Sequence, residues 1–335
     1  MVSGYRIIPS ALYYIILVII IHFNANVKHR TVLPKGLQYS QRGAIIKGET
    51  LIFIRKATIM YICPVCKKRL KKLDNVLHCQ NGHSFDIARK GYVNLLTTNK
   101  RNPKNSGDNT EMVRARTNFL DKGYYLALAQ RIAQTAQREL DSVKQPVIID
   151  SGCGEGFYTC VYARQMPEAR LFGIDISKAA VSHCMTRVHI AGISSCEFAV
   201  ASSFELPFIK ESADMVISTF APVANDEYAR VLRKGGKLIV VSPSAKHLFE
   251  LKSVAYDKPY ENKPNVYGLN KFELTSEEIF EYTQDISSTQ DILDLFSMTP
   301  YLYKTSAEGI QRLKALDSLT VTCGFTIQVY TKKEF

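Results

Sequence analysis

The fold is decided by the thirteen-residue stretch Val147-Ile148-Ile149-Asp150-Ser151-Gly152-Cys153-Gly154-Glu155-Gly156-Phe157-Tyr158-Thr159. Its first three residues are β-branched and predict a buried strand. The three glycines of the loop that follows allow a sharp turn and bring bare backbone N–H groups against a ligand. From Phe157 onward the apolar spacing predicts a helix whose N-terminus faces that ligand. The stretch therefore predicts a strand–loop–helix unit of an α/β fold, with a binding site at its loop.

A further acidic residue follows at the distance expected of a nucleotide-like ligand. Residues 171–174 predict a second strand, and Asp175 ends it 19 residues after Gly156. At this spacing a carboxylate reaches the ribose hydroxyls of a cofactor. The loop reads G-x-G-x-G rather than the dinucleotide pattern G-x-G-x-x-G, and a pyrophosphate would be repelled by Asp150 and Glu155. A cationic cofactor tolerates both acids, and the loop resembles the first motif of class I methyltransferases, which bind S-adenosylmethionine.

The chain around this stretch alternates predicted helices and strands, as a parallel α/β sheet requires. The predicted helices lie within 110–140 and at 178–191 and 226–232; the predicted strands lie at 196–199, 213–218, 237–241, 321–322 and 326–331. Ligands of such sheets bind at the carboxyl ends of the strands. We therefore expect Ser202 and residues 220–222 on the same rim as Asp150 and Asp175. Residues 256–300 depart from the alternation and are interpreted as an inserted lid.

The excess positive charge lies before the α/β part. The chain has 43 Lys and Arg against 31 Asp and Glu, a net charge of +12. Residues 1–59 carry +7, residues 60–109 carry +7, and residues 110–335 carry −2. A near-neutral enzyme body with a basic appendage indicates a polyanionic partner held by the appendage. A charged surface that only keeps the protein soluble is the alternative.

Cysteine spacing predicts a metal site. Three of the eight cysteines fall within 17 residues, and the others are scattered. Cys63-Pro-Val-Cys66 is followed by Cys79 and, four positions later, by His83. Thiolates with one imidazole suit a closed tetrahedral zinc site, and so small a unit has little core without a metal. We predict one structural zinc in a cytoplasmic, reducing environment; unliganded buried cysteines are the alternative.

A basic run lies between the two halves of this zinc site. It consists of Lys67, Lys68, Arg69, Lys71 and Lys72. Five cations in six residues on a zinc-braced hairpin predict contacts with an RNA backbone. Two further RNA-binding candidates precede the cofactor strand, for which ordinary surface charge is the alternative: Arg114 and Arg116.

The first 59 residues carry little functional information. Residues 11–21 are an apolar run of eleven, shorter than the roughly 20 that span a membrane. The segment also lacks the n-region and cleavage site of a signal peptide. Met60 lies three residues before the first zinc cysteine, so we expect the native start at Met60 and an over-extended reading frame before it. A real amphipathic or membrane-tethering extension is the alternative, and membrane contact is expected only in that case.

Two further stretches carry a family resemblance. Residues 85–96 read Phe-Asp-Ile-Ala-Arg-Lys-Gly-Tyr-Val-Asn-Leu-Leu, and residues 242–251 read Ser-Pro-Ser-Ala-Lys-His-Leu-Phe-Glu-Leu. Together with the zinc cysteines and the glycine loop, they resemble the bacterial 23S ribosomal RNA guanine-N1 methyltransferases over about residues 60–335. Both stretches are far more specific than the glycine loop alone.

The resemblance implies roles for particular residues. Tyr125, Gly154, Glu155 and His247 match positions that contact S-adenosylmethionine in the family. The full predicted cofactor set is Tyr125, Asp150, Gly152, Gly154, Glu155, Asp175 and His247, and the predicted zinc ligands are Cys63, Cys66, Cys79 and His83. The resemblance also implies a homodimer whose zinc units flank an RNA cleft, with no obligate protein partner. No catalytic residue is assigned, because a cofactor contact or a buried structural role is favoured for His247 over that of a base.

We thus predict an α/β protein with a Rossmann-like class I methyltransferase sheet and a small N-terminal zinc-knuckle or ribbon domain. The predicted domains are an uncertain extension at 1–59, a zinc-binding RNA-recognition domain at 60–96, a linker with helices at 97–140, and a methyltransferase domain at 141–335 with the lid at about 256–300. The predicted activity is methyl transfer from S-adenosylmethionine to N1 of a guanine in a hairpin of 23S ribosomal RNA. The alternatives are a small-molecule methyltransferase whose zinc unit binds a protein and a catalytically silent RNA-binding protein.

Overall fold

The structure is a computed structural model that describes residues 60–97 and 107–334, together with the backbone of three short upstream strands. The chain divides into two units, Met1–Thr58 and Ile59–Phe335. The upstream strands are β1 (Gln38–Tyr39), β2 (Ala44–Lys47) and β3 (Thr50–Phe53), which pair antiparallel in that order. The predicted apolar run at 11–21 lies outside the described residues. In the part that is described, no helix combines the length and apolarity needed to cross a bilayer.

The second unit begins with a small antiparallel sheet. Its strands are β4 (Lys71–Leu73), β5 (Val76–His78) and β6 (Ser84–Asp86), in that order. The sheet itself is too small to bury much apolar surface. The residues just before β4 instead pack on the rest of the unit. The ring centroid of Tyr61 lies 5.3 Å from that of Phe208 and 5.9 Å from that of Phe172. The Ile62 N–H also donates to the Pro207 carbonyl at 2.8 Å.

Eight strands form the central sheet. They are β7 (Val93–Asn94), β8 (Val147–Ser151), β9 (Arg170–Asp175), β10 (Cys196–Val200), β11 (Ala213–Thr219), β12 (Leu232–Pro243), β13 (Phe272–Ile286) and β14 (Leu319–Lys332). Their order is β13-β14-β12-β11-β8-β9-β10-β7. Strand β14 runs antiparallel to both of its neighbours, and the other pairs are parallel.

Helices pack on the sheet. They are α1 (Thr110–Asp121), α2 (Leu126–Glu139), α3 (Phe157–Gln165), α4 (Lys178–Ile190), α5 (Asn225–Val231), α6 (Phe249–Ala255), α7 (Thr289–Ser297) and α8 (Ala307–Lys314), with 3₁₀ turns at Ser203–Glu205 and Pro300–Lys304. Every residue of β8 and of β11 is buried. Because successive side chains alternate between faces, Ile148 and Ile217 join one hydrophobic core while Ile149 and Val216 join the other. The predicted α/β class and Rossmann-like sheet are confirmed.

Two details of the C-terminal part differ from the sequence predictions. The strands predicted at 321–322 and 326–331 are one continuous strand, β14, which passes through Gly324. The glycine serves a close contact there, since a Cβ at Gly324 would lie 2.3 Å from the Ser244 Oγ. Within the predicted lid at 256–300, residues Phe272–Ile286 are the edge strand β13. Along most of β13 half-buried and exposed side chains alternate, as expected of an edge strand with one face in solvent.

Candidate active site and zinc cluster

A cavity of about 700 Å³ lies at the carboxyl ends of the parallel strands. This is where the crossover geometry of an α/β sheet leaves a crevice. Six of the seven predicted cofactor-binding residues line it: Tyr125, Gly152, Gly154, Glu155, Asp175 and His247. The sheet order therefore brings together positions that are as far as 122 residues apart in the chain.

The glycine loop forms one wall of the cavity. Gly152 has φ +81°, and a Cβ there would lie 2.4 Å from that of Ala221. Gly154 has φ +55°, a conformation that side chains rarely adopt. Only glycine at position 152 permits this close approach of the loop to Ala221, which follows β11. The loop then delivers the N-terminus of α3, with its unpaired N–H groups, to the cavity.

Asp175 is held rigidly at the end of β9. Its carboxylate accepts hydrogen bonds from the Gly154 N–H at 3.0 Å and from the Ser177 N–H at 2.8 Å. Burial raises the pKa of Asp175, and the backbone hydrogen bonds oppose that shift. Both oxygens are thus anchored at the cavity wall, and their binding of ribose hydroxyls stays a prediction.

Two acids of the loop have internal partners. Asp150 is not among the described residues that line the cavity; it is buried beneath the loop and accepts from the Thr159 hydroxyl at 2.5 Å. Burial raises the pKa of Asp150 to about 7. The buried carboxylate of Glu155 accepts from the Arg187 Nε at 2.9 Å, and the same guanidinium reaches Asp121 at 2.6 Å. The carboxylate of Glu155 therefore neutralises the charge of Arg187. Glu155 lines the cavity, but its carboxylate is already paired.

His247 lies between β12 and α6 among aromatic rings. Its ring centroid is 4.9 Å from that of Phe325 and 6.3 Å from that of Tyr125. Burial, with a contribution from the Lys252 ammonium, lowers the pKa of His247 to about 3. The imidazole is thus neutral at physiological pH and a poor candidate for a general base.

Three buried polar atoms at the cavity wall have no hydrogen-bond partner among the described residues. They are the Tyr125 hydroxyl, the Tyr158 hydroxyl and the His247 Nδ1. Buried polar atoms are nearly always paired in native proteins, so this wall is built for a polar ligand. S-adenosylmethionine offers an ammonium, a carboxylate and hydroxyls as partners, and the residues present therefore fit it.

The two arginines of α1 have different surroundings. Arg116 lines the cavity and forms an ion pair with Asp108, whereas Arg114 is exposed. Positions two apart on a helix do not face the same way. The structure therefore places Arg116 beside the glycine loop rather than on the outer surface, and an RNA contact by either arginine stays a prediction.

The four predicted zinc ligands converge. The ligand atoms of Cys63, Cys66, Cys79 and His83 all lie within 4.8 Å of one another. Each half of the site is closed by a tight turn: the Lys67 N–H donates to the Cys63 carbonyl at 2.8 Å, and the Gly82 N–H to the Cys79 carbonyl at 3.1 Å. Three thiolates and one imidazole are the donor set of a closed, four-coordinate zinc site. The donor set therefore fits zinc in a structural role.

The basic run is exposed beside this cluster. Lys67, Lys68, Arg69, Lys71 and Lys72 all face solvent. Lys67 also forms an ion pair with Glu205, whose neighbours Ser203 and Phe204 line the cavity. The cationic surface of the small sheet thus adjoins the cavity rim.

Sequence reasoning missed several cavity residues. Tyr158, Asn262 and the segment 298–301 line the cavity. The position of Tyr158, in the first turn after the glycine loop, was a usable signal. Asn262 and residues 298–300 lie within the segment interpreted as a lid, but no periodic pattern marks them individually.

Comparison with known proteins agrees with this geometry. Residues 61–104 match the family model for the N-terminal zinc ribbon of RlmA, and residues 142–296 match that of a methyltransferase domain. The 23S rRNA (guanine(748)-N(1))-methyltransferase of Streptomyces fradiae is 39% identical over 200 residues, which cover 59% of this chain and 69% of that protein. A candidate 23S rRNA (guanine-N1)-methyltransferase of Micromonospora griseorubida is 38% identical, over 56% and 67% of the two chains. Another from Bacillus subtilis, YxjB, is 27% identical over 82% and 97%.

Proposed function

Because this chain belongs to the family of 23S rRNA (guanine-N1)-methyltransferases, which are S-adenosylmethionine-dependent enzymes, we propose that it transfers a methyl group to N1 of a guanine in a hairpin of 23S ribosomal RNA. The observation that carries the proposal is the cavity with its three unpaired polar atoms, close to the zinc cluster and the exposed basic run. A small-molecule methyltransferase would need the cavity but not the exposed cations.

We propose that the cofactor is held by the residues that the strand ends bring together. Asp175 accepts from the ribose hydroxyls, and the backbone of Gly152 and Gly154 follows the cofactor closely. Tyr125 and His247 offer their unpaired polar atoms from the opposite wall. When bound, S-adenosylmethionine supplies an electrophilic methyl group on a sulfonium.

The work of the protein in the transfer step is positioning and the exclusion of water. Apolar side chains on the cavity wall, including Ala221, Pro222 and Met298, would help to keep water away from the reacting groups. A neutral His247 adds no positive charge beside a sulfonium. The target base must leave its stack to enter a cavity of this kind, which favours a hairpin or loop nucleotide.

We propose that the zinc-binding domain, residues 60–96, recognises RNA and that residues 141–335 carry catalysis. The exposed cations of the basic run and the near-neutral body support this division. The ion pair between Lys67 and Glu205 joins the two parts at the cavity rim. RNA bound by the basic run would therefore lie next to the reaction site.

We also propose a homodimer, supported by the sequence resemblance alone. Analytical ultracentrifugation of the full chain tests it. A mass near twice the 37.8 kDa of one chain is expected, and a monomer at micromolar concentration would contradict it.

Transfer of tritium from labelled cofactor into 23S ribosomal RNA tests the activity. A methyl group on guanine N1 blocks base pairing, so primer extension should stop next to the modified nucleotide. A transcript with that guanine changed to adenine is the matched control and should take up no label. Transfer to small metabolites but not to RNA would support the small-molecule alternative, and RNA binding without any transfer would support a silent binding protein.

A further inference from the structure

A large apolar side chain is exposed inside the cavity. Phe220 follows β11 directly, lines the cavity wall and is 42% exposed. Its φ is +55°, in the left-handed region that bulky residues rarely adopt. Such strain persists only where the surrounding structure enforces it, and it concentrates at functional sites.

The turn that contains Phe220 is fixed by the cofactor loop. The Phe220 N–H donates to the Val241 carbonyl at 3.0 Å. The next residue, Ala221, fills the space that Gly152 leaves open. The turn therefore cannot relax without moving the loop that forms the cofactor wall, and the ring is held next to that wall.

Three neighbouring rings orient that of Phe220. Its centroid lies 5.7 Å from that of Phe325 and 6.5 Å from that of Tyr158. The His247 ring is 6.4 Å away with an interplanar angle of 25°. These neighbours fix the ring, and the exposed remainder faces the cavity. A residue that served only the hydrophobic core would be buried, as Phe325 is.

We propose that Phe220 is the surface on which the target guanine stacks once it has left the RNA. This inference rests on the proposed function and adds the residue that would hold the base. A purine presents a flat π-face, and proteins hold unstacked bases on aromatic side chains. Stacking on Phe220 would offset part of the cost of extruding the base, and the contact with the cofactor loop would place the base beside the methyl donor.

Replacement of the ring by a branched aliphatic side chain tests this. Phe220→Leu keeps an apolar residue with the same backbone requirement, whereas Phe220→Tyr keeps the stacking face. We expect kcat/KM for an RNA hairpin to fall roughly 10- to 100-fold in Phe220→Leu, the range for loss of one stacked base. Phe220→Tyr should stay within about threefold of the parent. Phe280→Ala is the control, because Phe280 lies on the edge strand β13 and outside the described cavity lining.

Two measurements separate stacking from a structural role. S-adenosylmethionine affinity by calorimetry and the melting temperature should be unchanged in Phe220→Leu.

The outcomes distinguish the two proposals. Parental kcat/KM in Phe220→Leu, or an equal loss in Phe220→Tyr, would overturn the stacking surface alone. Loss of cofactor affinity in Phe220→Leu would also overturn it, in favour of a structural role. Absence of RNA methylation by the parent protein would overturn the proposed function and the stacking surface with it.

Discussion

The carboxylate of Asp175 accepts a hydrogen bond from the backbone N–H of Gly154 at 3.0 Å, although 21 residues separate them in the chain. This bond joins the ends of two adjacent parallel strands, β8 and β9. Asp175, which is expected to bind the ribose, therefore also fixes the glycine loop that is expected to contact the cofactor. Cofactor affinity and local order in this loop are linked through one side chain.

Replacement of Asp175 by alanine should weaken S-adenosylmethionine binding. The loss of a charge-assisted acceptor for a hydroxyl pair costs about 1.5–3 kcal/mol, about tenfold or more in affinity. Isothermal titration calorimetry measures it. Asp226→Ala, at a surface carboxylate in an ion pair with Lys271, should bind like the parent; an equal affinity in Asp175→Ala would remove Asp175 from the site.

Zinc content should depend on the four clustered ligands. The purified full chain should contain one zinc, and Cys66→Ser should lower this to near zero, because three ligands hold the metal poorly. Elemental analysis checks the stoichiometry, and hydrogen exchange should report opening of residues 60–96. Cys196→Ala removes a cysteine outside the cluster and should leave zinc unchanged; zinc retained in full by Cys66→Ser would argue against the assigned ligand set.

RNA affinity should depend on the basic run. Charge reversal of Lys68, Arg69, Lys71 and Lys72 should weaken binding and flatten its salt dependence, since each lost phosphate contact removes about 0.7–0.9 from the log–log slope. Methyl transfer should fall mainly through KM. Reversal of Lys144, exposed just before β8, and of Lys234, exposed near the start of β12, is the control. An unchanged slope in the basic-run variant would mean that these cations only keep the domain soluble.

The neutral state of His247 should appear in the pH dependence of stability. Burial depresses the pKa of His247 from 6.5 to about 3. The stability that the neutral imidazole contributes to the fold is therefore complete above about pH 6.5 and is lost as the pH falls towards 3. From pH 7.5 to 5 the parent should lose about 2 kcal/mol more than His247→Asn. Asp150, with its raised pKa, titrates in the opposite sense but is common to both proteins. Urea unfolding measures the free energy of unfolding of both proteins at both pH values. An equal loss in the two proteins would contradict a buried neutral imidazole.

The ion pair between Glu155 and Arg187 should matter far more than those at the surface. Arg187→Met leaves the buried carboxylate of Glu155 without its counter-charge, which costs about 3–5 kcal/mol. Adding Glu155→Gln should recover part of that loss in a double-mutant cycle. Arg138→Met, which removes an exposed pair with Glu139, should cost about 0–1 kcal/mol. A similar loss in both arginine variants would show that Glu155 is not desolvated as described.

The sequence by itself determined the local units of this protein. The β-branched run before Gly152 predicted β8, the spacing to Asp175 predicted the next strand and its acid, and the order of Cys63, Cys66, Cys79 and His83 predicted the metal cluster. These patterns are readable because strand period, turn geometry and ligand spacing depend on residues close together in the chain.

Only the tertiary structure decided which of these groups meet. It placed Asp150 under the loop rather than in the cavity, bound Glu155 to Arg187, and placed Arg116 at the cavity wall. It also aligned the strained Phe220 with His247. Such contacts depend on strand order and on which groups burial leaves without water, and neither is encoded in the spacing of neighbouring residues.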